Sequence, residues 1–348
     1  MKNISKIIVS LLASIALTVS ANAGELSVTG SAKATMSSVS GYANGGNAIG
    51  VANEIGFGAT GELDNGWSWN YAIALDPDGT AGGGNALNDD SKLLITTPYG
   101  TVGFCGSTCG LSAAGDFNAN AYAWITDTGY NEGKVEPVNI SSYQNINLHT
   151  AAGLLPLDTV IKIGYAPNSS TVNNSTNATL TPNTLTLGKT MMYRLETAPT
   201  DGLKITASFA DQDGGTDVVS DEQDSQSGAV SVKYSQGPFT VGVGTARISP
   251  RIADDTASTA TTVEFYDNKN LSLAMAVNDN LSISGSVEKS DASYTTVKSD
   301  GKNETKAIQA AYTMGGMTMA ISHANKDGVA YAENNDVSET ILAVTMAF

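Results

Sequence analysis

Apolar and polar side chains alternate along most of the chain with a period of two, which is typical of β-strands. The first such segment covers about residues 25–37. One of its faces would carry Leu26, Val28, Ala32, Ala34 and Met36, and the other Ser27, Thr29, Ser31 and Lys33. The same alternation returns in later segments, for example where Ile161 and Ile163 oppose Lys162. The pattern therefore predicts an all-β protein.

Short turn sequences with Gly, Pro, Asn or Asp at their centres recur between these segments. There are seven of them, at residues 63–67, 97–101, 154–158, 198–203, 235–239, 277–281 and 313–317. Longer polar stretches lie between the turns, among them residues 77–88, 167–184, 211–225, 291–302 and 326–336. Seven turns join fourteen strands, and the first and last strands bring the number to about sixteen. This alternation of short and long connections predicts a transmembrane antiparallel β-barrel with short periplasmic turns and longer external loops.

The two faces of the strands have different meanings in a barrel and in a soluble sandwich. In a sandwich the apolar face would form the core, whereas in a barrel it faces lipid and the polar face lines water. About sixteen strands enclose more space than side chains can fill, so an aqueous channel is expected. Aromatic residues near the turns fit the membrane interface: Trp67, Trp69, Tyr71, Tyr99, Phe239, Tyr312 and Phe348.

The first 23 residues have the features of a secretory signal peptide. Lys2 and Lys6 precede a short apolar run, and Ala21-Asn22-Ala23 fits a cleavage site, so the mature chain is expected to begin at Gly24. No later apolar run is long enough for a membrane helix. No Pro-rich or Ser-rich linker divides residues 24–348, so a single barrel domain is expected. An exported chain that spans a membrane without such helices must do so as a closed barrel.

The charge of the chain is strongly acidic. It has 18 basic and 34 acidic residues and a net charge of −16, and loss of Lys2 and Lys6 with the signal peptide makes it −18. Nucleic acid is an unfavourable partner for such a surface, because binding to phosphates needs cations. The charge suits a solvated pore that attracts cations, and it equally suits simple solubility.

Two cysteines and two histidines limit the possible chemistry. Cys105 and Cys109 are expected to form a small disulfide loop in an oxidising compartment. Two thiols are too few for a metal site, and His149 and His323 are interpreted as wall or rim residues. No cofactor is expected, although the Asp-rich stretch 211–217 offers oxygen ligands that suit Ca²⁺ without the full loop motif of a calcium site.

Four segments stand out when the chain is taken as a whole. They are the export signal, Gly24–Gly30, the turn and strand at Thr97–Phe104, and the last strand, which ends with Leu342, Val344, Met346 and Phe348. In these segments the chain resembles the trimeric, sixteen-stranded general diffusion porins of Gram-negative outer membranes, in particular the α-proteobacterial type. The resemblance covers essentially all of residues 24–348. It implies a homotrimer in contact with outer-membrane lipid and lipopolysaccharide. It also implies that the strand with Phe348 is recognised by the barrel assembly machinery.

The same resemblance implies that the loop after the fifth strand, about residues 105–139, folds inward and narrows the pore. Its acidic residues, Asp116, Asp127, Glu132 and Glu136, would then face cations of the wall. The wall candidates are Lys33, Lys162, Arg194, Lys204 and Lys233. Arginine is scarce compared with such porins, which predicts a mild preference for cations.

Four functions remain open at this point. The first is a passive channel for ions and small hydrophilic solutes, and the second is a substrate-selective porin. Three aromatic residues of the inward loop, Tyr122, Trp124 and Tyr130, favour the second because they could stack on a solute. The third is an exported, non-membrane all-β surface protein, which would show internal repeats that this chain lacks. The fourth is an outer-membrane enzyme, for which neither histidine has a nucleophile motif beside it.

Overall fold

The alternating segments form antiparallel strands over most of the chain. A computed structural model describes residues 24–41, 45–76, 87–88, 91–106, 109–113, 119–123, 137–140, 144–167, 187–214, 221–253, 262–295 and 301–348. The predicted signal peptide lies outside these residues. No helix of the described residues is long and apolar enough to cross a membrane.

Sixteen strands form one sheet within the described residues. They are β1 (Leu26–Gly41), β2 (Gly46–Glu62), β3 (Ser68–Asp76), β4 (Lys92–Thr97), β5 (Gly100–Cys105), β6 (Asn145–Thr150), β7 (Val160–Ala166), β8 (Leu187–Thr200), β9 (Leu203–Gly214), β10 (Ser225–Gln236), β11 (Phe239–Ser249), β12 (Val263–Ala276), β13 (Leu281–Tyr294), β14 (Gly301–Met314), β15 (Met317–Asp327) and β16 (Val337–Ala347).

Three kinds of small element accompany these strands. The segment Leu87–Asn88 pairs with the C-terminal end of β3, whereas β4 pairs with the N-terminal part of β3. A two-stranded ribbon joins Asp221–Gln223 to Ile252–Ala253 outside the main sheet. Short 3₁₀ turns cover Pro156–Asp158 and Val329–Tyr331.

The sheet closes on itself between its first and last strands. Each strand pairs with the next, and β16 pairs back with β1 from Ser31 opposite Ala347 to Gly41 opposite Val337. Beyond this ladder the Gly30 N–H donates to the Phe348 carbonyl at 2.8 Å, and the Phe348 N–H donates to the Gly30 carbonyl at 3.0 Å. Closure removes the free edges that an open sheet would expose. The predicted antiparallel barrel of sixteen strands is thereby confirmed.

Both kinds of connection lie where the sequence places them. All seven predicted short turns join consecutive strands at one end of the barrel. At the other end, the strand bounds leave only residues 42–45 between β1 and β2 and residues 295–300 between β13 and β14, whereas the remaining connections are longer. Several strands also run further into the polar stretches than expected, since residues 211–214 belong to β9 and residues 291–294 to β13. The hydrogen bonds between neighbouring strands are made by the backbone. A strand can therefore continue through residues with polar side chains.

The apolar face of the strands points outward, as predicted. On β1 the exposed fractions of Leu26, Val28 and Met36 are 71%, 61% and 51%. Aromatic side chains close to the short turns are also exposed, with fractions of 76% for Tyr99 and 48% for Phe239. Such a surface would be unfavourable in water and is stable against lipid, with aromatic rings near the interface.

We predict that two turn glycines respond unequally to substitution. Gly202 and Gly237 both have left-handed backbones, with φ of 76° and 56°. Alanine at either position should lower the free energy of unfolding by about 1–2 kcal/mol, because an L-residue is strained in a left-handed backbone. At Gly202 the new Cβ would also collide with the Ser235 carbonyl, whereas at Gly237 it meets no atom within 4 Å. This collision should therefore destabilise Gly202→Ala by about a further 1–3 kcal/mol and should leave Gly237→Ala unaffected.

The measurement is the urea midpoint of unfolding for the refolded barrel in detergent, with Gly237→Ala as the matched control. Equal midpoints for the two variants would contradict the close approach of the β8–β9 turn to β10.

Candidate functional site

The described parts of the segment between β5 and β6, residues 109–113, 119–123 and 137–140, lie inside the barrel. The Ala119 N–H donates to Ser272 Oγ on β12 at 2.7 Å, and the Ala121 N–H donates to Ser284 Oγ on β13 at 2.8 Å. Both serines are buried and alternate with exposed neighbours such as Leu271 and Ile283. Because successive side chains of a strand point to opposite faces, the two serines face the lumen. The peptide between them is therefore bound to the inner wall.

Gln309 on β14 holds the next part of this segment. Its Oε1 accepts from the Tyr122 N–H at 3.2 Å, and its Nε2 donates to the Ala123 carbonyl at 2.7 Å. The Tyr122 ring in turn lies below Lys33 of β1, whose Nζ is 5.1 Å from the ring centroid. Two of the predicted site residues, Tyr122 and Lys33, are thus brought together by a favourable cation–π contact.

Two wall cations hold the beginning of the segment on the other side of the barrel. Arg194 Nη1 on β8 donates to the Ser112 carbonyl at 2.8 Å, to Ser112 Oγ at 2.9 Å and to the Ala113 carbonyl at 3.2 Å. Lys162 Nζ on β7 donates to the Gly110 carbonyl at 2.8 Å. The resemblance to porins led us to expect both cations opposite the carboxylates of the loop. In the described residues both cations bind backbone carbonyls of the segment, and the four carboxylates lie outside those residues, so that prediction stays untested.

Glu196 on β8 is the acidic centre of this group of cations. Its Oε1 lies 2.7 Å from Lys162 Nζ and 2.9 Å from Arg194 Nε, and its Oε2 lies 3.0 Å from Lys204 Nζ. One carboxylate therefore holds three cations from β7, β8 and β9 in fixed positions. The sequence placed Glu196 on the polar face but gave no sign of this role, because its three partners come together only in the barrel.

Lys204 and Lys233 make the nearby wall more positive. They are direct partners across β9 and β10, and both alternate with apolar outward residues. Lys204 remains half exposed, at 54% of its side chain, whereas Arg194 is 10% exposed. Of the five predicted wall cations, Lys162, Arg194, Lys204 and Lys233 thus lie together on β7–β10, while Lys33 lies apart on β1.

A small apolar cluster also supports the segment inside the barrel. Its buried members are Leu111, Ala113 and Ile140 of the segment and Ala166, Met192 and Ala210 of the wall. A Cβ at Gly164 of β7 would lie 2.6 Å from Leu111 Cδ2 and 2.8 Å from Ile140 Cδ1, so the wall has glycine where the segment approaches it most closely. The returning part is held by the Val138 N–H, which donates to Ser227 Oγ at 3.0 Å.

Cys105 and Cys109 are joined by a disulfide at the point where the segment leaves β5. Their Cα atoms are 5.9 Å apart, which is a normal separation for such a bond. The two histidines lie on different faces, since His149 is on the inner wall of β6 and His323 faces outward on β15, where its Nδ1 lies 2.8 Å from Thr340 Oγ1.

The remaining predicted site residues fall outside the described residues. They are the acidic Asp116, Asp127, Glu132 and Glu136 and the aromatic Trp124 and Tyr130. The possible calcium stretch is described only in part, because Asp217 is outside. Asp213 pairs with Lys189, and Asp211 accepts from Gln226 at 2.9 Å. Across the described ranges no three His, Cys, Asp or Glu side chains form a group that could hold a metal ion.

Comparison with known proteins gives a family and a set of similar folds. A profile of the Gram-negative porin family matches residues 9–336. No curated protein sequence matches the chain.

Among solved structures, Salmonella typhi OmpF in complex with daunomycin is 14% identical with a TM-score of 0.68, over 93% of this chain and 98% of that one. An anion-selective porin from Comamonas acidovorans is 12% identical with a TM-score of 0.67, over 93% and 100%. The trimer form of OmpT from Vibrio cholerae is 13% identical with a TM-score of 0.66, over 94% and 100%. At such identities the likeness shows the fold.

We predict that Arg194 and Lys204 contribute unequally to anchoring the inner segment. Arg194→Gln removes the donors to Ser112 and Ala113, and hydrogen bonds to charged groups contribute about 1.5–3 kcal/mol each. Amide hydrogen exchange of residues 109–113 should therefore accelerate about tenfold or more in this variant.

Lys204→Gln is the matched control, because Lys204 binds the same Glu196 but makes no hydrogen bond or ion pair with the described residues of the segment. In Lys204→Gln the amide hydrogen exchange of residues 109–113 should be as slow as in the unchanged protein. Equal exchange rates in Arg194→Gln and in the unchanged protein would contradict the anchoring role.

Proposed function

The chain belongs to the Gram-negative porin family, and on that premise we propose that its inner segment narrows a water-filled, mildly cation-selective pore. The protein is an outer-membrane channel through which small solutes diffuse. The observation that carries the proposal is the peptide at residues 119–123, which hydrogen-bonds to the inner wall of a closed barrel. A barrel of sixteen strands without such a segment would leave a much wider lumen.

The polar lining of the barrel suits a water-filled lumen. The inner positions of β12 include Asn268, Asn270 and Ser272, and those of β13 include Ser284 and Ser286. These side chains offer donors and acceptors to water and to hydrophilic solutes. Lipophilic molecules would have to leave lipid for this polar surface, so the lining disfavours them.

A mild preference for cations is supported by the charges of the inner segment. Residues 105–139 contain Asp116, Asp127, Glu132 and Glu136 against the single cation Lys134. On the wall, Lys162 and Arg194 are balanced in part by Glu196 and are turned to backbone carbonyls. Carboxylates of the segment would then dominate the field at the narrowest point, and selectivity follows the charges at such a constriction.

A homotrimer is proposed from the solved relatives and from one outer face. One OmpT structure of Vibrio cholerae is described as a trimer form. The outward positions of β16, β1 and β2 carry no charged side chain in the described residues, and Ile49 and Val51 are 81% and 68% exposed. An uncharged apolar wall of this kind is suited to contact with neighbouring copies.

Export, assembly and lipid contacts complete the proposal. Residues 1–23 would direct export and be removed after Ala23. The apolar outward side chains of β16, with Phe348, would be recognised by the barrel assembly machinery. The rest of the outer wall would contact outer-membrane lipid and lipopolysaccharide, in keeping with its exposed apolar band. No bound cofactor is part of this function, and a loop-bound Ca²⁺ at residues 211–217 is a subsidiary proposal.

A substrate-selective porin is the second candidate, favoured by the Tyr122 ring beside Lys33. An aromatic face next to a cation can stack on a solute and bind its acidic or hydroxyl groups. Such a channel would show a current that one solute blocks in a saturable manner. Entry rates that depend only on solute size would favour the diffusion channel.

We predict a cation preference that depends on Asp116 and Asp127. In a tenfold KCl gradient across a planar bilayer, the reversal potential should have the sign of a K⁺-selective channel. The double variant Asp116→Asn/Asp127→Asn should move it toward zero, because two negative charges leave the constriction.

Asp291→Asn is the control, since Asp291 lies on the outward face of β13 and outside the lumen. It should leave the reversal potential unchanged. An anion-selective unchanged protein, or a double variant that behaves as the unchanged protein does, would overturn the proposed role of these carboxylates.

A further inference from the structure

The last connection of the barrel, residues 328–336 between β15 and β16, folds back against protein. It lies at the end opposite the short turns, which is the external end of an outer-membrane porin. Val329 is fully buried and Tyr331 is half-buried, whereas Glu333 and Asn334 are exposed. One side of this loop therefore packs against the barrel, and the other side faces water.

Tyr331 attaches the loop to β12 and β13, two strands that do not adjoin it along the chain. Its hydroxyl lies 2.7 Å from Ser290 Oγ on β13, and its ring centroid lies 5.3 Å from that of Tyr266 on β12. Ser290 Oγ uses its single proton to donate to Asn268 Oδ1. The Tyr331 hydroxyl is therefore the donor in its bond to Ser290, and a hydrogen bond and a ring contact together fix the side chain.

Both contacts lie on the lumen face of the wall. Ser290 and Ser284 share one face of β13, because an even number of residues separates them, and Ser284 binds the inner segment. Tyr266 shares the face of Ser272 on β12 for the same reason. Within the described strands, Tyr266 and Tyr294 of β13 are the only Tyr, Phe or Trp side chains that point inward. Aromatic side chains on the inner wall are thus concentrated where the loop meets it.

Gly301, at the start of β14, leaves the space that the loop occupies on the inner wall. A Cβ at this position would lie 2.6 Å from Tyr331 Cβ, 2.7 Å from the Tyr331 carbonyl oxygen and 3.4 Å from the Tyr294 hydroxyl. Further along β14, Asn303 Nδ2 donates to the Gly328 carbonyl at 3.4 Å. The loop therefore crosses the inner face of β14 before Tyr331 reaches β13 and β12.

A buried ion pair closes the base of the loop. Lys326 Nζ near the end of β15 lies 3.1 Å from Glu339 Oε2 on β16, and each side chain is 3% exposed. The Gly328 N–H donates to Asp336 Oδ1 at 3.2 Å, which joins the two ends of the loop. Both strands are therefore fixed at the points where the loop leaves and rejoins them.

The backbone of the loop is strained beside Tyr331. Ala330 and Tyr331 are consecutive residues with left-handed φ angles of 56° and 54°. Residues with a Cβ rarely adopt this conformation, and it persists where surrounding contacts impose it. The contacts of Tyr331 with Ser290 and Tyr266 are of this kind. Without them the loop is expected to relax away from the wall.

The inner segment is bound by the same three strands, closer to the short turns. Ser272, Ser284 and Gln309 of β12, β13 and β14 hold residues 119–123. From Ser284 to the contact of Tyr331 at Ser290 is about 20 Å along β13, at a rise of about 3.3 Å per residue. A solute that enters from the external side therefore passes the loop before it reaches the inner segment.

We propose that residues 328–336 form a second narrowing at the external mouth of the pore, and that Tyr331 is the positioning residue that holds them there. This inference deepens the proposed pore function and rests on it, because that function supplies the orientation of the barrel and the passing solutes. The loop occupies space inside the mouth, so it restricts solutes by size. Uncharged oligosaccharides are the class of solute that it excludes most strongly, because they are wide and are insensitive to the charges of the pore.

The test measures the swelling of liposomes that contain the full mature chain, in arabinose and in the trisaccharide raffinose. Tyr331→Ala removes both the ring contact and the bond to Ser290. The ratio of the raffinose rate to the arabinose rate should rise about threefold or more in this variant, because a wider mouth admits the larger sugar. The arabinose rate itself should change by less than about 1.5-fold, since the smaller sugar already fits.

Two further variants separate positioning from general damage to the loop. Tyr331→Phe keeps the ring contact with Tyr266 and loses the bond to Ser290, so its ratio should lie between those of Tyr331→Ala and the unchanged protein. Glu333→Gln is the matched control, because Glu333 is exposed on the same loop and makes no hydrogen bond or ion pair with the described residues. Its ratio should equal that of the unchanged protein. An unchanged ratio in Tyr331→Ala would overturn the proposal, as would an equal rise in Glu333→Gln.

Amide hydrogen exchange tests the position of the loop without any transport. The N–H groups of Val329, Ala332 and Asn335 donate to carbonyls within the loop. Their exchange should accelerate in Tyr331→Ala and stay unchanged in Glu333→Gln, and equal rates in all three proteins would overturn the role of Tyr331. Absence of swelling with every solute in folded preparations would contradict the proposed function, whereas the exchange rates would still decide whether Tyr331 holds the loop.

Discussion

A chain that crosses a bilayer in strands must satisfy every backbone donor and acceptor within itself, and this constraint underlies the whole structure. The pairing of β1 with β16 meets it by joining the two ends of the sheet. Once the sheet is closed, the period of two leaves each strand with one face toward lipid and one toward the lumen. The apolar outer wall and the polar lining both follow from that closure.

The lumen is then a second environment in which backbone groups need partners. The segment between β5 and β6 finds them on opposite parts of the wall, at Arg194 and Lys162 on one side and at Ser272, Ser284 and Gln309 on the other. Glu196 holds the cations in place, so a single carboxylate connects the geometry of the wall to that of the segment. Charges of the wall thus hold the inner segment in position.

The sequence was sufficient to predict the number of strands, their short turns and the apolar and polar faces of strands such as β1 and β7, because these depend on local periodicity and turn chemistry. Residues 63–67 and 313–317, for example, show their turns in the sequence itself. Contacts across the lumen were not predictable in the same way. Gln309 meets Tyr122 from 187 positions away, and no local pattern marks such a pair. Glu196 was missed for the same reason. Strand ends such as residues 211–214 were missed because backbone pairing continues through polar side chains.

Single-channel recording from the purified mature protein in a planar bilayer tests the central claim most directly. A closed barrel with a wall-bound inner segment should give discrete conductance steps of reproducible size that last for seconds, grouped in threes for a trimer. A folded, heat-modifiable barrel that produces no steps would contradict an open, water-filled lumen.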